Sequence, residues 1–400
     1  MRDTDVEVTG EALKGIHILL GVTGGIAAVD TVRLARELRR HGANLTVIMT
    51  KSAQEIITPL AVRWASQGEV ITDWDGDLSS LENFDAILVT PATRNIMASF
   101  AHGLMNGPLL MALSAANSRN CPIMMIPSMH IDIAEDPVTI DVVSQCSNLG
   151  VKILWGEEEE GKMKNLNHVE IVARFSNYIN SNRGINSGLG PHQVVITLGA
   201  TKSHIDDIRF VQNTSSGATG FAIADYLYRL GMDITCVAGE TTVNAPPWLP
   251  LVIKCPDPEE MLKELIALSK DNIEVWIHTA AVLDYIVSNP IEGKIASLQG
   301  DLNFNMKEGK KHIMELAERC KGSIRIGFKL ESGIKQKDIV HRAFAQIKKC
   351  GMTVTIANRL EDLDQKDKPR GWLVDEEGVS YTLHTEKDML DAILTIIKTG

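Results

Sequence analysis

The first half of the chain alternates continuously apolar runs with segments in which apolar residues recur every three to four positions. An amphipathic segment at residues 27–41, which Gly42 follows, predicts a helix between two of the apolar runs. The runs themselves predict buried strands at residues 16–20, 45–49, 86–90 and 123–126. Strands that alternate with helices are typical of a parallel sheet with helices on both faces.

The same pattern starts again in the second half. An amphipathic segment at 217–230 predicts a helix, with Ser216 as its N-cap and Gly231 at its end. Further strands are predicted at 194–198, 234–238, 275–279, 324–328, 353–357, 371–374 and 380–384, the last two as an antiparallel pair before a helix from Asp388.

These patterns predict an α/β protein with two doubly wound, Rossmann- or flavodoxin-like domains built on mainly parallel sheets. A segment rich in Gly, Ser and Asn separates the two halves and predicts a linker at residues 181–192. The expected order is a tail at 1–12, a first domain at 13–180, the linker, and a second domain at 193–400.

Composition narrows the class of protein. A net charge of −11 argues against a nucleic-acid partner, and 23% charged residues argue against a disordered or fibrous chain. The sequence has no apolar run of the ~20 residues that cross a membrane, and no secretory signal is visible. Six scattered cysteines without a C-x-x-C pair favour reduced thiols, so a cytoplasmic protein is expected.

A phosphate-binding loop is predicted at the start of the second domain. The buried strand at 194–198 runs into Gly199-Ala-Thr, and the segment Asn213 to Gly217 then opens a helix. Backbone N–H groups and the positive end of a helix favour an anion at such a point. The second half therefore predicts a site for a nucleotide or a phosphorylated substrate.

Three further features lie at predicted strand ends or in a loop of the second half. The first is the segment His278-Thr279-Ala280, with Asp284 four residues later. Lys294 lies in a loop flanked by Pro and Gly, and Phe328 ends another strand. Each feature also has an ordinary interpretation, because Asp284 can cap a turn, an exposed lysine is common, and Phe328 can belong to the core.

Taken together, these motifs resemble the phosphopantothenate–cysteine ligase family over residues 193–399. They are G-x-T at 199–201, N-x-S-S-G at 213–217, A-A-V-x-D-Y at 280–285, K-I at 294–295 and G-F-K-L-E at 327–331. The resemblance implies that ATP or CTP activates the carboxylate of 4'-phosphopantothenate as an acyl-nucleotide, from which cysteine displaces the nucleotide. It implies Mg²⁺, carried mainly by the nucleotide phosphates, and leaves protein metal ligands unknown.

The resemblance also implies residue roles. Lys294 stabilises charge on the α-phosphate and Asn213 holds the acyl intermediate, so both are the expected catalytic residues. Arg209 pairs with the substrate phosphate, although a surface salt bridge is the alternative. The family forms dimers through a loop for which Lys366 and Lys368 are candidates. The expected nucleotide-binding residues are Gly199, Ser215, Ser216, Gly217, His278, Thr279, Ala280, Asp284, Lys294 and Phe328.

The first half carries a glycine loop at residues 21–28, with two further segments, 50–60 and 91–95, at predicted strand ends. The loop alone is equally typical of a tight turn. Together the segments resemble the FMN-dependent cysteine decarboxylase family over residues 13–174, which implies a trimerising flavodoxin-like domain. The expected FMN-binding residues are Gly24, Gly25, Ile26, Ser52, Ala92, Thr93 and Asn95.

This half departs from the family pattern where the chemistry occurs. Asp77 stands where the family has a catalytic histidine, and His130 stands where it has an asparagine. The mobile loop is shortened to residues 156–163, is acidic, and lacks the family cysteine. The decarboxylase half is therefore expected to be inactive, although it can still hold FMN or share a site with a separate active decarboxylase homologue.

Three interpretations remain. The favoured one is a ligase fused to an inactive decarboxylase-like domain, forming a homo-oligomer. In the second, Asp77 and His130 take over the missing roles and the protein is bifunctional. The third is a non-catalytic scaffold, which the presence of Asn213, Asp284 and Lys294 disfavours. The choice between ATP and CTP, the retention of FMN and the oligomeric state stay open.

Overall fold

The computed structural model describes residues 3–74, 83–186, 192–296, 301–363, 365 and 367–399. The chain folds into two compact units. One comprises Met1–Gly188 with Arg229–Gly231, and the other comprises Leu189–Tyr228 with Met232–Gly400. Each unit holds a mainly parallel sheet with helices, which confirms the predicted α/β class. Among the described residues, no helix is both long enough and apolar enough to span a membrane.

The first unit is built on a six-stranded parallel sheet in the order β3-β2-β1-β4-β5-β7. The strands predicted at 16–20, 86–90 and 123–126 end one or two residues later than expected. The strands are β1 (His17–Val22), β2 (Asn44–Met49), β3 (Val70–Ile71), β4 (Ala86–Ala92), β5 (Ile123–Pro127), β6 (Met129–His130), β7 (Lys152–Ile153), β8 (Glu158–Glu159) and β9 (Lys162–Met163).

Helices cover both faces of this sheet. Successive residues of β1 therefore enter two different cores: Ile18 and Leu20 pack in one and Leu19 in the other, all fully buried. The helices are α1 (Thr31–Arg40), α2 (Lys51–Gln54), α3 (Pro59–Ser66), α4 (Arg94–Ala101), α5 (Pro108–Ser118), α6 (Ile131–Ala134), α7 (Pro137–Asn148) and α8 (His168–Asn186).

Two expectations for the first unit need correction. The helix predicted at 27–41 begins as a 3₁₀ turn, Ile26–Asp30, because Ala28 N donates to Gly25 O and tightens the first turn. The linker predicted from residue 181 is still helical as far as Asn186, and the Asn182 side chain donates to Tyr178 O one turn back. Residues 187–191 of the predicted linker lie outside the described residues.

The predicted tail packs on the first unit. Arg39 donates to the main-chain oxygen of Thr4 at 2.9 Å, and Arg36 donates to that of Asp5 at 3.0 Å. Thr9 N donates to Arg40 O at the end of α1. The described part of the segment is thus held by the polar face of α1.

The second unit is built on an eight-stranded sheet in the order β14-β13-β10-β15-β18-β19-β20-β21. It is parallel up to β19, and the last two strands form the predicted antiparallel pair. The strands are β10 (Gln193–Leu198), β11 (Lys202–His204), β12 (Phe210–Gln212), β13 (Asp233–Ala238), β14 (Leu251–Lys254), β15 (Val275–His278), β16 (Tyr285–Val287), β17 (Met306–Glu308), β18 (Ile324–Glu331), β19 (Val354–Arg359), β20 (Gly371–Val374) and β21 (Ser380–Leu383).

The strand order reverses between β10 and β15, so the carboxyl ends of these two strands border a crevice. Trp276 on β15 is buried in one core, and Ile339 and Ile347 pack in another. The helices of this unit are α9 (Ala218–Arg229), α10 (Pro258–Leu268), α11 (His312–Glu315), α12 (Gln336–Cys350) and α13 (Glu386–Thr399).

Candidate functional site

A cavity of about 770 Å³ opens at the carboxyl edge of the second unit's sheet, at the crevice between β10 and β15. Open α/β sheets bind their ligands at this position. The structure brings most of the predicted residues of the second half into its wall. They are Asn213, Ser215, Ser216, Gly217, His278, Thr279, Ala280, Asp284 and Phe328.

The N-terminus of α9 faces this cavity. Helix α9 begins at Ala218, one residue later than predicted, and Ser216 Oγ accepts a hydrogen bond from Ala218 N at 3.3 Å. Gly217 adopts a φ of +79°, which favours glycine. A Cβ on Gly220 would lie 2.4 Å from Leu198 Cβ, so glycine is required for the helix to approach β10. The loop and helix end form a site suited to an anion.

Asn213 fixes another part of the cavity wall. Its Nδ2 donates to Ala281 O at 3.2 Å and to Val282 O at 3.1 Å. Thr201 Oγ1 accepts from Leu283 N at 2.9 Å in the same loop. In the structure the Asn213 amide group therefore positions the loop that precedes Asp284.

Gly199 does not line the cavity, in contrast to the sequence-based expectation. It has a φ of +76°, and a Cβ there would lie 2.6 Å from Glu240 O. Ala281 N donates to its main-chain oxygen at 2.8 Å. Gly199 thus lets the loop after β10 pass close to Glu240.

His278 ends β15 with its ring buried and stacked on Trp276 at 6.3 Å between centroids. Burial, reinforced by the charges of Arg325 and His312, lowers the pKa of His278 to about 3. The imidazole is therefore neutral at pH 7. Its place in the wall is compatible with packing against a ligand but not with a charged contact to phosphate.

Three cationic side chains that no sequence motif predicted also line the cavity. Lys310 and Lys311 follow β17, and Lys311 Nζ lies 3.8 Å from the exposed carboxylate of Asp284. Arg370 Nη2 donates to Thr219 Oγ1 at 3.0 Å in the first turn of α9. Arg370 therefore adds positive charge at the helix N-terminus, and the two lysines add positive charge elsewhere in the cavity wall, which favours a polyanionic ligand.

Lys294 and Arg209 lie outside the lining of this cavity, on two loops that meet at Asp206. Arg209 Nη1 donates to the Asp206 carboxylate and, at 3.4 Å, to Ile295 O. Ile295 N donates to Asp206 Oδ2 at 3.1 Å. The structure therefore contains the alternative for Arg209, a salt bridge. Its partner Asp206 is buried and does not lie on the surface.

The first unit gathers its predicted loop residues at the carboxyl ends of β1, β2 and β4. A Cβ on Gly24 would lie 2.5 Å from Ser52 Oγ. Thr23 Oγ1 donates to Pro91 O at 2.6 Å and accepts from Thr93 N at 3.1 Å. The close approach at Gly24 and the hydroxyl-rich rim fit a phosphorylated cofactor such as FMN.

Three further predicted residues of this region differ in exposure. Ile26 is 75% exposed and Asn95 is exposed on the first turn of α4. Ala92 is fully buried in β4, so only its main chain is available at the strand end.

His130 and the acidic loop come together in a small three-stranded sheet. Strand β9 pairs with β6, which places Lys162 opposite His130, and β8 carries Glu158 and Glu159. His130 Nδ1 lies 3.1 Å from Asp132 Oδ2. Asp77, the other altered position, and Lys366 lie outside the described residues.

Comparison with known proteins assigns both units to families. Residues 189–399 match the family described as DNA/pantothenate metabolism flavoprotein C-terminal domain, and residues 7–177 match the family described as Flavoprotein. The coenzyme A biosynthesis bifunctional protein CoaBC of Thermococcus kodakarensis is 32% identical over 357 residues, or 87% of this chain and 86% of that protein. The chain belongs to the CoaBC family.

A second CoaBC relative, from Methanocaldococcus jannaschii, is 31% identical over 87% of this chain and 84% of its own length. A crystal structure of the DNA/pantothenate metabolism flavoprotein from Streptococcus pneumoniae superposes with a TM-score of 0.48 at 22% identity. It covers 52% of this chain and 98% of that one.

Within this CoaBC-family chain, sequence patterns missed Asp206 and the cations at 310, 311 and 370. The run Gly309-Lys310-Lys311 was the available signal for two of them. No local signal pointed to the contact of Asp206 with Ile295, because the two residues lie 89 positions apart. Across the described ranges, no group of three or more His, Cys, Asp or Glu side chains is arranged to hold a metal ion.

Proposed function

We propose that the second unit joins 4'-phosphopantothenate to cysteine, using ATP or CTP, through an acyl-nucleotide intermediate. The observation that carries this proposal is the cavity at the crevice of the sheet, whose wall contains the N-terminus of α9 and the side chains of Lys310, Lys311 and Arg370. Its volume of about 770 Å³ accommodates a nucleotide with a second substrate. The family match over 189–399 supports the same assignment.

The reaction balances in two steps. A carboxylate oxygen of phosphopantothenate attacks the α-phosphorus of the nucleotide, and the bond to the β-phosphate oxygen breaks to release pyrophosphate. The amine of cysteine then attacks the acyl carbon, loses a proton, and displaces the nucleoside monophosphate. Both steps build negative charge on the α-phosphate oxygens, so fixed cations and N–H donors lower both barriers.

The proposed roles of the residues in the cavity wall follow the geometry. Ser215, Ser216 and Gly217 bind nucleotide phosphates through the loop that opens α9, and Phe328 contributes to the wall around the nucleotide. The family resemblance supplies the roles of two residues outside the cavity lining: Lys294 stabilises the α-phosphate and Arg209 binds the substrate phosphate. Asn213 positions the 281–284 loop, and Mg²⁺ enters with the nucleotide phosphates.

The test is a reaction of the purified protein with 4'-phosphopantothenate, Mg²⁺ and either ATP or CTP, with and without cysteine. Pyrophosphate and product masses are followed in parallel. Cysteine-dependent formation of the amide with one nucleotide supports the proposal and identifies the nucleotide. Absence of the amide with both nucleotides contradicts the proposed ligase function and favours a non-catalytic scaffold.

For the first unit we propose an FMN-binding domain without decarboxylase activity of its own. Gly24, Gly25, Ser52 and Thr93 are the residues that would hold FMN, which would supply hydride-acceptor chemistry. The four glutamates at 157–160 oppose an anionic substrate, which supports inactivity. The yellow absorbance of the purified protein tests flavin binding, and a colourless protein that takes up no added FMN contradicts it.

A fully bifunctional enzyme is the second candidate, because His130 lies beside Asp132 and close to the acidic loop. The two candidates are separated by adding phosphopantothenoylcysteine and measuring CO2. Release of CO2 by wild type that His130→Gln abolishes favours the bifunctional enzyme. Release only after addition of a decarboxylase homologue favours the inactive domain.

The protein is further proposed to work as a cytoplasmic homo-oligomer. Exposed apolar side chains on the first unit, such as Leu104, Met105 and Ile140, support an interface. Light scattering of the purified protein measures the assembly, and a monomer at micromolar concentration contradicts it.

A further inference from the structure

Two loops that carry cationic side chains are joined at one buried carboxylate. Asp206 Oδ1 accepts from Ile208 N at 2.8 Å and from Arg209 N at 2.6 Å. Asp206 Oδ2 accepts from Ile295 N at 3.1 Å and from Arg209 Nη1. The side chain of Asp206 is fully buried, so these donors replace its hydration.

Lys294 itself is exposed, and it is held through its neighbours. Next to it, Ile295 N is bound by Asp206 as described, and Gly293 N donates to Asp207 Oδ2 at 3.2 Å. Further back, Ile291 N donates to Ile205 O at 2.9 Å. The loop at 291–295 is therefore docked on the turn at 205–209, and the contact next to Lys294 is made by Asp206.

The charge state of Asp206 suits this position. Burial raises its pKa, but the N–H groups of Arg209, Ile208 and Ile295 and the Arg209 guanidinium lower the pKa well below the ordinary range. The carboxylate is ionised at neutral pH and stays beside Arg209. It therefore attracts the guanidinium and the Ile295 amide at the same time.

We infer that Asp206 is a positioning residue for the ligation, which holds Arg209 and the Lys294 loop in one fixed arrangement. The inference rests on the proposed ligase function. Asp206 contacts neither substrate in the proposed mechanism, but it sets the distance between Arg209 and Lys294, which do. Reacting groups displaced by about 1 Å lose up to about 100-fold in rate, so loosening this link affects turnover.

The test variant is Asp206→Asn in the full-length protein. An Asn side chain retains one acceptor oxygen for Ile208 N and Arg209 N, but its NH2 group faces the Ile295 amide and the guanidinium as donor against donor. We expect kcat to fall about 10- to 100-fold and KM for 4'-phosphopantothenate to rise.

Asp375→Asn is the matched control. The Asp375 carboxylate also accepts two main-chain N–H groups, from Glu377 at 3.0 Å and Val379 at 2.9 Å, but it lies in the hairpin turn between β20 and β21. A structural role alone would give both variants reduced thermal stability and unchanged KM values. If Asp206→Asn behaves kinetically as Asp375→Asn does, the inference is overturned.

Hydrogen exchange of the peptide around Ile295 measures the docking of this loop independently of enzyme activity. We expect its amide to exchange at least about tenfold faster in Asp206→Asn than in wild type. Unchanged exchange overturns the inference even where the proposed ligase function holds. An inactive wild type with a protected Ile295 amide overturns the ligase function instead, so the two failures are distinguishable.

If Asp206→Asn does not fold, the exposed Asp207→Ala serves as the second variant. It removes the side-chain oxygen that accepts from Gly293 N and loosens the same loop without a buried change. We expect a reduction in kcat of about threefold. Kinetics identical to wild type overturn the inference.

Discussion

Polar side chains of the second unit bind loops to one another near the cavity. Asn213 holds the carbonyls of residues 281 and 282, and Thr201 holds the Leu283 amide, so the walls are fixed before a ligand arrives. His278 contributes a neutral ring to the same wall. Preorganisation of this kind means that the side chains nearest the cavity need little rearrangement on binding.

Stability is predicted to depend on pH through His278. Its pKa is about 3 in the folded protein, against an ordinary 6.5, so only the unfolded chain takes up a proton between these values. Through His278, the free energy of unfolding is therefore greatest above pH 6.5 and falls by about 1.4 kcal/mol per pH unit between pH 6.5 and about 3.

The measurement is the free energy of unfolding in urea at pH 7.5 and pH 5.5, for wild type and for His278→Gln. We expect wild type to lose about 1 kcal/mol more than the variant on acidification. His341→Gln, which removes an exposed histidine, is the control. Equal losses in wild type and His278→Gln contradict the buried neutral ring.

At the scale of elements, the central strands of both large sheets were predictable, and so was the antiparallel pair β20 and β21 at one edge, whereas the shortest strands were not. The strands at 194–198 and 234–238 are confirmed, because strands buried on both faces read as continuous apolar runs. The three-residue strands β11 and β16 carry too few residues for a period to appear. The same holds for the Asp206 link, which depends on tertiary contacts between distant loops.

The approach of α9 to β10 gives a second prediction. Gly220→Ala places a Cβ 2.4 Å from Leu198 Cβ and 2.8 Å from Thr279 Oγ1, so the helix must move away from the sheet. We expect a destabilisation of about 1–3 kcal/mol and weaker nucleotide binding.

Calorimetric titration of ATP and CTP, with thermal melts, checks this prediction. Ala222→Ser on the half-buried side of the same helix is the control and should leave binding intact. Wild-type affinity in Gly220→Ala would mean that the helix N-terminus does not contact the nucleotide.

At the scale of the whole molecule, two units of similar architecture carry separate loop sets at their sheet edges. The first unit's order β3-β2-β1-β4-β5-β7 reverses between β1 and β4, where Gly24 and Thr93 lie. The fold class followed from the alternation of strands and helices alone. The linker could not be located in the same way. Its composition predicted a loop at Asn182, but the side chain of this residue supports a helix.

Separate sites predict separate losses. Gly24→Ala brings a Cβ within 2.5 Å of Ser52 Oγ and narrows the loop, so we expect flavin content to fall at least about tenfold. The ligase kcat is expected to stay unchanged, because this loop belongs to the other unit. Flavin absorbance and pyrophosphate release measured on the same preparation check both halves, and a parallel loss of ligation contradicts the separation.

Oxygen-isotope transfer distinguishes ligation through an acyl-nucleotide from other routes. 4'-Phosphopantothenate labelled with ¹⁸O in both carboxylate oxygens is converted with cysteine, Mg²⁺ and the active nucleotide, and the product masses are measured by mass spectrometry. An acyl-nucleotide intermediate predicts one ¹⁸O atom in the nucleoside monophosphate and one in the amide carbonyl. Label in orthophosphate, or an unlabelled nucleoside monophosphate beside the amide, would contradict it.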